Sequence, residues 1–86
     1  MTIEEAAELM ENAEYDPSKK NDIAAGFAIL SKYCDDIPVA ADHDEIWAGP
    51  ASNFEAFVEE INREDIEELA TLGWHIDDSD SLHHFV

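Results

Sequence analysis

The sequence predicts a small α+β fold, about four short helices packed on one face of a small three-stranded antiparallel sheet, as a single acidic domain over residues 1–86. Three observations lead there. Apolar residues recur at helical spacing in separate segments, most of them opened or closed by a capping residue. Short runs rich in Ile, Trp and Val lie between and after them, bounded by Gly, Pro and Asp. The hydrophobic share, 45%, matches a packed interior and exceeds that of a disordered acidic tail.

The first helix opens at Thr2. Thr2 and Glu5 have the spacing of a capping box, in which each side chain satisfies an amide of the opening turn. Ile3, Ala6, Ala7, Met10 and Ala13 form its apolar stripe, and Glu4, Glu8 and Glu11 lie opposite. Pro17 disfavours helix at Asp16 and suits a first helical position, so a second helix is expected from Asp16 as N-cap to about Cys34. Its inward stripe reads Ile23, Phe27, Leu30 and Cys34, with Ala24 and Ala28 alongside. Lys19 and Lys20 are expected to reach Glu residues of the first helix. Pro38 bars continuation.

Extended chain follows: a strand at Glu45 to Ala48, with a further extended piece near Val39 to Ala41, ended by Gly49-Pro50. Ser52 is expected to cap a third helix carrying Phe54, Phe57, Val58 and Ile61. Asn62 caps a fourth, with Asp65 in its first turn, Ile66, Leu69 and Ala70 inward, and Glu64, Glu67 and Glu68 outward. Gly73 closes it as the C′ glycine. Trp74-His75-Ile76 and Ser81 to Val86 form a hairpin around the turn Asp77-Asp78-Ser79-Asp80, and the Ile46-Trp47 strand joins it. Trp47 and Trp74 are both expected in the core.

Charge sets the function classes. Asp and Glu number 22 against 4 Lys and Arg, a formal −18. A compact chain of this length is roughly 30 Å across. The same length of duplex DNA carries about 18 phosphate charges. Such a surface repels nucleic acid and anionic membranes, attracts basic protein surfaces, and opposes its own compaction. The acidic N-terminus and the lack of any apolar run of membrane length suggest a cytoplasmic protein. The one cysteine, Cys34, cannot make an internal disulfide and is expected to be buried.

Chemistry-bearing residues crowd the C-terminus: His75, Asp77, Asp78, Asp80, His83 and His84. Imidazole with carboxylate suits zinc or manganese. Strand neighbours point to opposite faces, however, so His83 and His84 cannot chelate from one side. The calcium-loop start at Asp78 has no position-12 Glu. His43-Asp44 offers a base beside a carboxylate but diverges on a strand. No nucleophile elbow, phosphate-cradling loop or CxxC occurs. The expectation is no metal, no cofactor and no catalysis.

The carboxylates cluster. Glu4, Glu5, Glu8 and Glu11 share the first helix. Glu59, Glu60, Glu64, Glu67 and Glu68 crowd the junction of the third and fourth. Asp77, Asp78 and Asp80 occupy the hairpin turn. Like charges at helical spacings of three and four cost a few tenths of a kcal/mol per pair, a cost that a cationic partner removes. These twelve residues are the expected partner-binding set.

The stretch His43-Asp44-Glu45-Ile46-Trp47-Ala48-Gly49, then Glu64-Asp65, Leu72-Gly73-Trp74 and the closing Phe85-Val86, looks like small proteins of phages and mobile elements. In size, charge and lack of an active site the chain also resembles phage-encoded anti-CRISPR proteins, the small acidic DNA mimics acting on type I systems. That resemblance is one of class and brings no residue-level motif. It implies binding to the basic DNA-recognition surface of a CRISPR surveillance complex, on a subunit that reads DNA, and a block on target loading. The expected place is the host cytoplasm, and a monomer is favoured with the oligomeric state left open. The alternative from composition is a generic acidic domain, salt-adapted or antitoxin-like, with charge spread evenly and, if salt-adapted, folding that depends on salt.

Overall fold

The computed structural model describes residues 1–19, 21–34, 39–49, 54–77 and 81–85. Its elements are α1 (Ile3–Asn12), α2 (Asp22–Leu30), β1 (Val39–Asp42), β2 (Glu45–Ala48), α3 (Phe54–Glu60), α4 (Arg63–Thr71), β3 (Trp74–Ile76) and β4 (Leu82–Phe85). The class is α+β. Among the described residues the sheet has four antiparallel strands in the order β1-β2-β4-β3, where the sequence predicts three. The additional strand is the extended piece before Glu45. All of its residues are exposed, so it lacks the alternation that marks a half-buried strand.

Local signals set several boundaries. The Glu5 N–H donates to Thr2 Oγ1 at 3.1 Å and the Thr2 N–H to Glu5 Oε1 at 3.2 Å, which closes the capping box of α1. Asn62 Oδ1 accepts from the Asp65 N–H at 2.8 Å and opens α4. Gly73, at φ +94°, turns the chain out of α4, and its N–H reaches the Ala70 carbonyl at 3.0 Å. The expected cap Ser52 lies outside the described residues.

The second helix departs from expectation at both ends. The Asp16 carboxylate accepts from the Ser18 N–H at 3.0 Å and the Ser18 hydroxyl at 2.6 Å. These bonds fix a local turn in place of a helix cap. The Asp16 N–H donates to the Thr71 carbonyl at 2.8 Å, tying that turn to the end of α4. The helix starts five residues later than Pro17, at Asp22, after Asn21 in the left-handed region at φ 58°, a conformation asparagine tolerates. It ends at Leu30, and Ser31 to Cys34 continue as a turn. Gly26, Ile29 and Leu30 are its buried residues, while Ile23, Phe27 and Cys34 are half-buried and Ala24 and Ala28 exposed. The inward face is thus rotated from the predicted stripe. Lys19 is drawn to Glu68 of α4 at 2.8 Å, not to α1; Lys20 lies outside the described residues.

Sheet register assigns the faces. Ile46, His84 and Trp74 share one cross-strand row, and Ala48, Leu82 and Ile76 the next. Ala48, Leu82 and Trp74 join the core, with Ala6 and Met10 of α1, Leu30 of α2, and Ile66 and Leu69 of α4. Trp74 is 2% exposed. Its Nε1–H donates to the Asp22 carbonyl at 3.3 Å, and Phe27 meets it edge-on at 5.8 Å. Asp22 also places Oδ2 at 3.1 Å from His84 Nε2, so it fastens the start of α2 to two strands. The Leu72 carbonyl lies 3.0 Å from the same nitrogen. Both partners are acceptors, so Nε2 carries the hydrogen. The other sheet face presents Asp42, Glu45, Trp47, His83, Phe85 and His75. Among the described residues no helix is long and apolar enough to cross a membrane.

Candidate functional site

The carboxylates of the predicted contact set divide by what holds them. Glu4, Glu5, Glu8 and Glu11 are exposed along α1, which has no basic residue in its last turn. Glu5 is engaged by the capping box, and the Thr2 backbone and side-chain bonds hold its carboxyl below the ordinary glutamate value. Glu4, Glu8 and Glu11 make no hydrogen bond or ion pair with any described residue. The axial rise of 1.5 Å per residue spreads Glu4 to Glu11 over about 10 Å. One strand of duplex DNA places about three phosphates in that distance.

Cations gather elsewhere. Lys19 pairs with Glu68 at 2.8 Å, Lys32 with Asp65 at 3.1 Å and Arg63 with Glu67 at 3.0 Å. Every described Lys and Arg therefore has its ion pair on α4, and none has one on α1. Of the predicted contact residues, Glu67 and Glu68 are thus partly neutralised. Glu59, Glu60 and Glu64 remain exposed at the α3–α4 junction. Asp65 is different in kind: it is 9% exposed and takes hydrogen bonds from the Tyr33 hydroxyl and Lys32. The Tyr33 bond first, and Lys32 after it, keep its carboxyl below the ordinary range against the opposing effect of burial. Burial, then Asp65, pushes the Tyr33 phenol up.

Packing joins the anionic stretches. Glu5, Glu8 and Arg63 line one groove of about 470 Å³, with Met1, Leu9 and Asn12. Glu4 and Glu55 line a second hollow of about 400 Å³. The fold thereby sets Glu55 of α3 beside the start of α1. The sequence reading passed over Glu55, because helical periodicity fixes a face only within its own helix.

The hairpin turn behaves differently. Asp77 Oδ2 accepts from the Trp47 Nε1–H at 2.8 Å, and Oδ1 from the Ser81 N–H at 3.2 Å. Its carboxylate holds the hairpin together, which removes it from the set of open contacts. Asp78 and Asp80 lie outside the described residues. Trp47 is also not in the core: it lies half-buried on the sheet face that carries no described helix. Trp74 alone takes the expected core place.

That sheet face assembles residues that the sequence reading did not connect. His83 Nδ1 lies 2.8 Å from His75 Nε2, and His83 Nε2 lies 3.0 Å from Glu45 Oε1. His83 is only 4% exposed. Trp47 packs on its ring at 5.1 Å and Phe85 at 4.6 Å. Burial first, then the His83 ring, lowers the His75 pKa, while Asp77 acts the other way. Strand alternation sends His84 to the opposite face, as expected. The separations of 38 and 8 residues in this chain of bonds become contacts only through the β2–β4–β3 register. His43 stands in solvent, its side chain 89% exposed. Among the described residues no group of three His, Cys, Asp or Glu side chains is placed to hold a metal ion. Set against protein-family models, curated proteins and solved structures, the chain matches none of them.

Proposed function

We propose that this protein binds a basic, nucleic-acid-reading surface of another protein and blocks it, with α1 carboxylates standing where phosphates would stand. One observation carries this reading: every described Lys and Arg has its ion pair on a carboxylate of α4, while Glu4, Glu8 and Glu11 stand at helical spacing along α1 with no ion pair among the described residues, even though Arg63 borders the same groove as Glu8. Like charges at these spacings weaken a helix, so the arrangement favours an external cation. Glu55 of α3, which lines a hollow with Glu4, extends the same surface. The molecule is 30 Å along its longest axis, a length over which duplex DNA carries about 18 charges.

The target class follows the resemblance to type I anti-CRISPR proteins. A CRISPR surveillance complex holds nucleic acid through cationic surfaces, and an anionic protein on such a surface would exclude target DNA in the cytoplasm of the host. The action is binding without catalysis. An acidity serving high salt alone predicts folding that depends on salt, so thermal unfolding in low and high salt separates it from this reading.

The test is competition. A type I surveillance complex is loaded with labelled duplex DNA, and displacement is followed for the parent protein and for the variant carrying Glu4→Gln, Glu8→Gln and Glu11→Gln. The reading expects displacement that weakens steeply with salt and is largely lost in the variant. Equal displacement by both proteins, or none by the parent, overturns it.

A further inference from the structure

The sheet face without a described helix has exhausted its hydrogen-bond donors. A carboxylate can only accept, so His83 Nε2 carries the hydrogen shared with Glu45 at 3.0 Å. With both rings neutral, His83 Nδ1 is then an acceptor, and His75 Nε2–H donates to it across 2.8 Å. His75 is left with a lone pair on Nδ1. The one indole donor of the patch, Trp47 Nε1–H, is taken by Asp77 at 2.8 Å. What remains is mostly acceptor in kind: the second oxygen of Glu45, Asp42 Oδ2 (Oδ1 accepts from the His43 N–H at 2.9 Å, with the His43 ring 4.0 Å away), the His75 lone pair, the face of Trp47, and the face of Phe85 turned away from His75. Asp42 and Glu45 are direct cross-strand partners, a like-charge pair that destabilises the sheet unless a cation bridges it. Phe85 is 62% exposed, on a protein with no described Lys or Arg in these strands.

Acceptors around aromatic faces complement one side chain above others. A guanidinium is planar, carries five donors, stacks on rings and forks onto a carboxylate, whereas an ammonium is a compact and strongly hydrated point charge. We propose that this sheet face is a second contact surface that binds an arginine side chain of the basic partner, stacked on Phe85 and Trp47 and hydrogen-bonded by Glu45 and Asp42. The proposal rests on the reading above that the partner is basic, and it adds the element that selects arginine over lysine.

The face also carries its own pH signature. The charged and titratable groups around His75 are His83 and His84 on β4, Asp77 at the end of β3, and Glu45 of β2 through His83. A proton on His75 Nδ1 converts the acceptor into a donor and adds a positive charge, so arginine binding falls as His75 titrates. Contacts along α1 involve no histidine.

The experiment uses the whole chain with hexa-arginine and hexa-lysine peptides as probes, read by NMR at the Trp47 indole N–H and the His75 ring. Trp74, buried in the core, serves as the internal reference. Hexa-arginine is expected to move the Trp47 and His75 signals, to bind more tightly than hexa-lysine, and to lose about two- to fivefold in affinity with Phe85→Ala. It is expected to bind more weakly near pH 5 than near pH 7. The Trp47 and His75 shifts are expected to persist in the Glu4→Gln, Glu8→Gln, Glu11→Gln variant. Phe85 is 62% exposed but packs on His83 and His75, so Phe85→Ala and the second variant, Glu45→Gln, are both checked by thermal melting. Shifts confined to α1 and α3, equal response to the lysine peptide, or unchanged affinity in Phe85→Ala overturns the proposal. Arginine-specific shifts in a protein that displaces no DNA from the surveillance complex would overturn the function proposed above and leave this surface standing.

Discussion

Gly26→Ala tests the packing of the core with an outcome opposite in sign to helix propensity. Alanine in place of an interior helical glycine stabilises by about 1 kcal/mol on propensity alone. Here the added Cβ would lie 2.3 Å from Trp74 Nε1, 2.6 Å from Cε2 and 3.0 Å from Cζ2. The indole cannot swing aside freely: it is 2% exposed, bonded to the Asp22 carbonyl at 3.3 Å and held edge-on by Phe27. Overpacking costs about 1–3 kcal/mol, and loss of the indole hydrogen bond about 1 kcal/mol more. After the propensity gain the net destabilisation is about 2 kcal/mol, a fall in Tm of roughly 8–16 °C for a domain of this size. Thermal unfolding by circular dichroism reads it. The cause is checked in a Trp74→Phe background, which removes the clashing atoms; there Gly26→Ala should be neutral or stabilising. A Tm at or above the parent's, or the same cost in both backgrounds, refutes the reasoning.

Asp65→Asn should cost about 2 kcal/mol, since hydrogen bonds to a buried charge are worth about 1.5–3 kcal/mol, and denaturant unfolding measures it. The Asp65 carboxyl is held below its ordinary value by Tyr33 and Lys32, so its contribution is complete above about pH 4 and is lost as pH falls through the folded value; the acid limb of the stability profile should flatten in Asp65→Asn. His75 shifts downward through burial and His83, so the unfolded chain binds the extra proton first, and stability should fall as pH drops through about 6.5. In His75→Gln that step should shrink, and an unchanged step would assign it to another group. Lys19→Met removes the cation bonded to Glu68 and Thr71, both at 2.8 Å. The pair is partly exposed, so the loss should stay under about 1 kcal/mol in low salt and shrink in high salt.

Much of the fold is legible as local chemistry. Thr2 with Glu5, Asn62 before Asp65, and Gly73 after Leu72 each satisfy or release backbone groups within a few residues, so sequence alone locates them. Asp16-Pro17 carries the same kind of signal and misleads. The Asp16 carboxylate finds Ser18, and its amide finds Thr71, a partner supplied by tertiary structure. Val39 to Ala41 reads as extended chain but not as a sheet strand, because its exposed residues show no alternation. The crowding of acids on α1 was readable from spacing, whereas the diversion of the cations to α4 was not, since Lys19 and Glu68 lie 49 residues apart. The sheet-face chain Glu45–His83–His75 required the strand register, and so did the place of Trp47 outside the core.

The central claim is that α1 keeps uncompensated carboxylates at the expense of stability because a cationic partner uses them. One paired measurement on the variant with Glu8→Gln and Glu11→Gln, which leaves the first-turn Glu4 to the helix dipole, addresses it most directly: Tm in low salt alongside displacement of duplex DNA from a type I surveillance complex. The account predicts opposite signs, a higher Tm because three like-charge spacings (Glu4–Glu8, Glu5–Glu8 and Glu8–Glu11) are relieved, each worth a few tenths of a kcal/mol, and weaker displacement. A variant that melts no higher, or that displaces DNA as well as the parent, contradicts it.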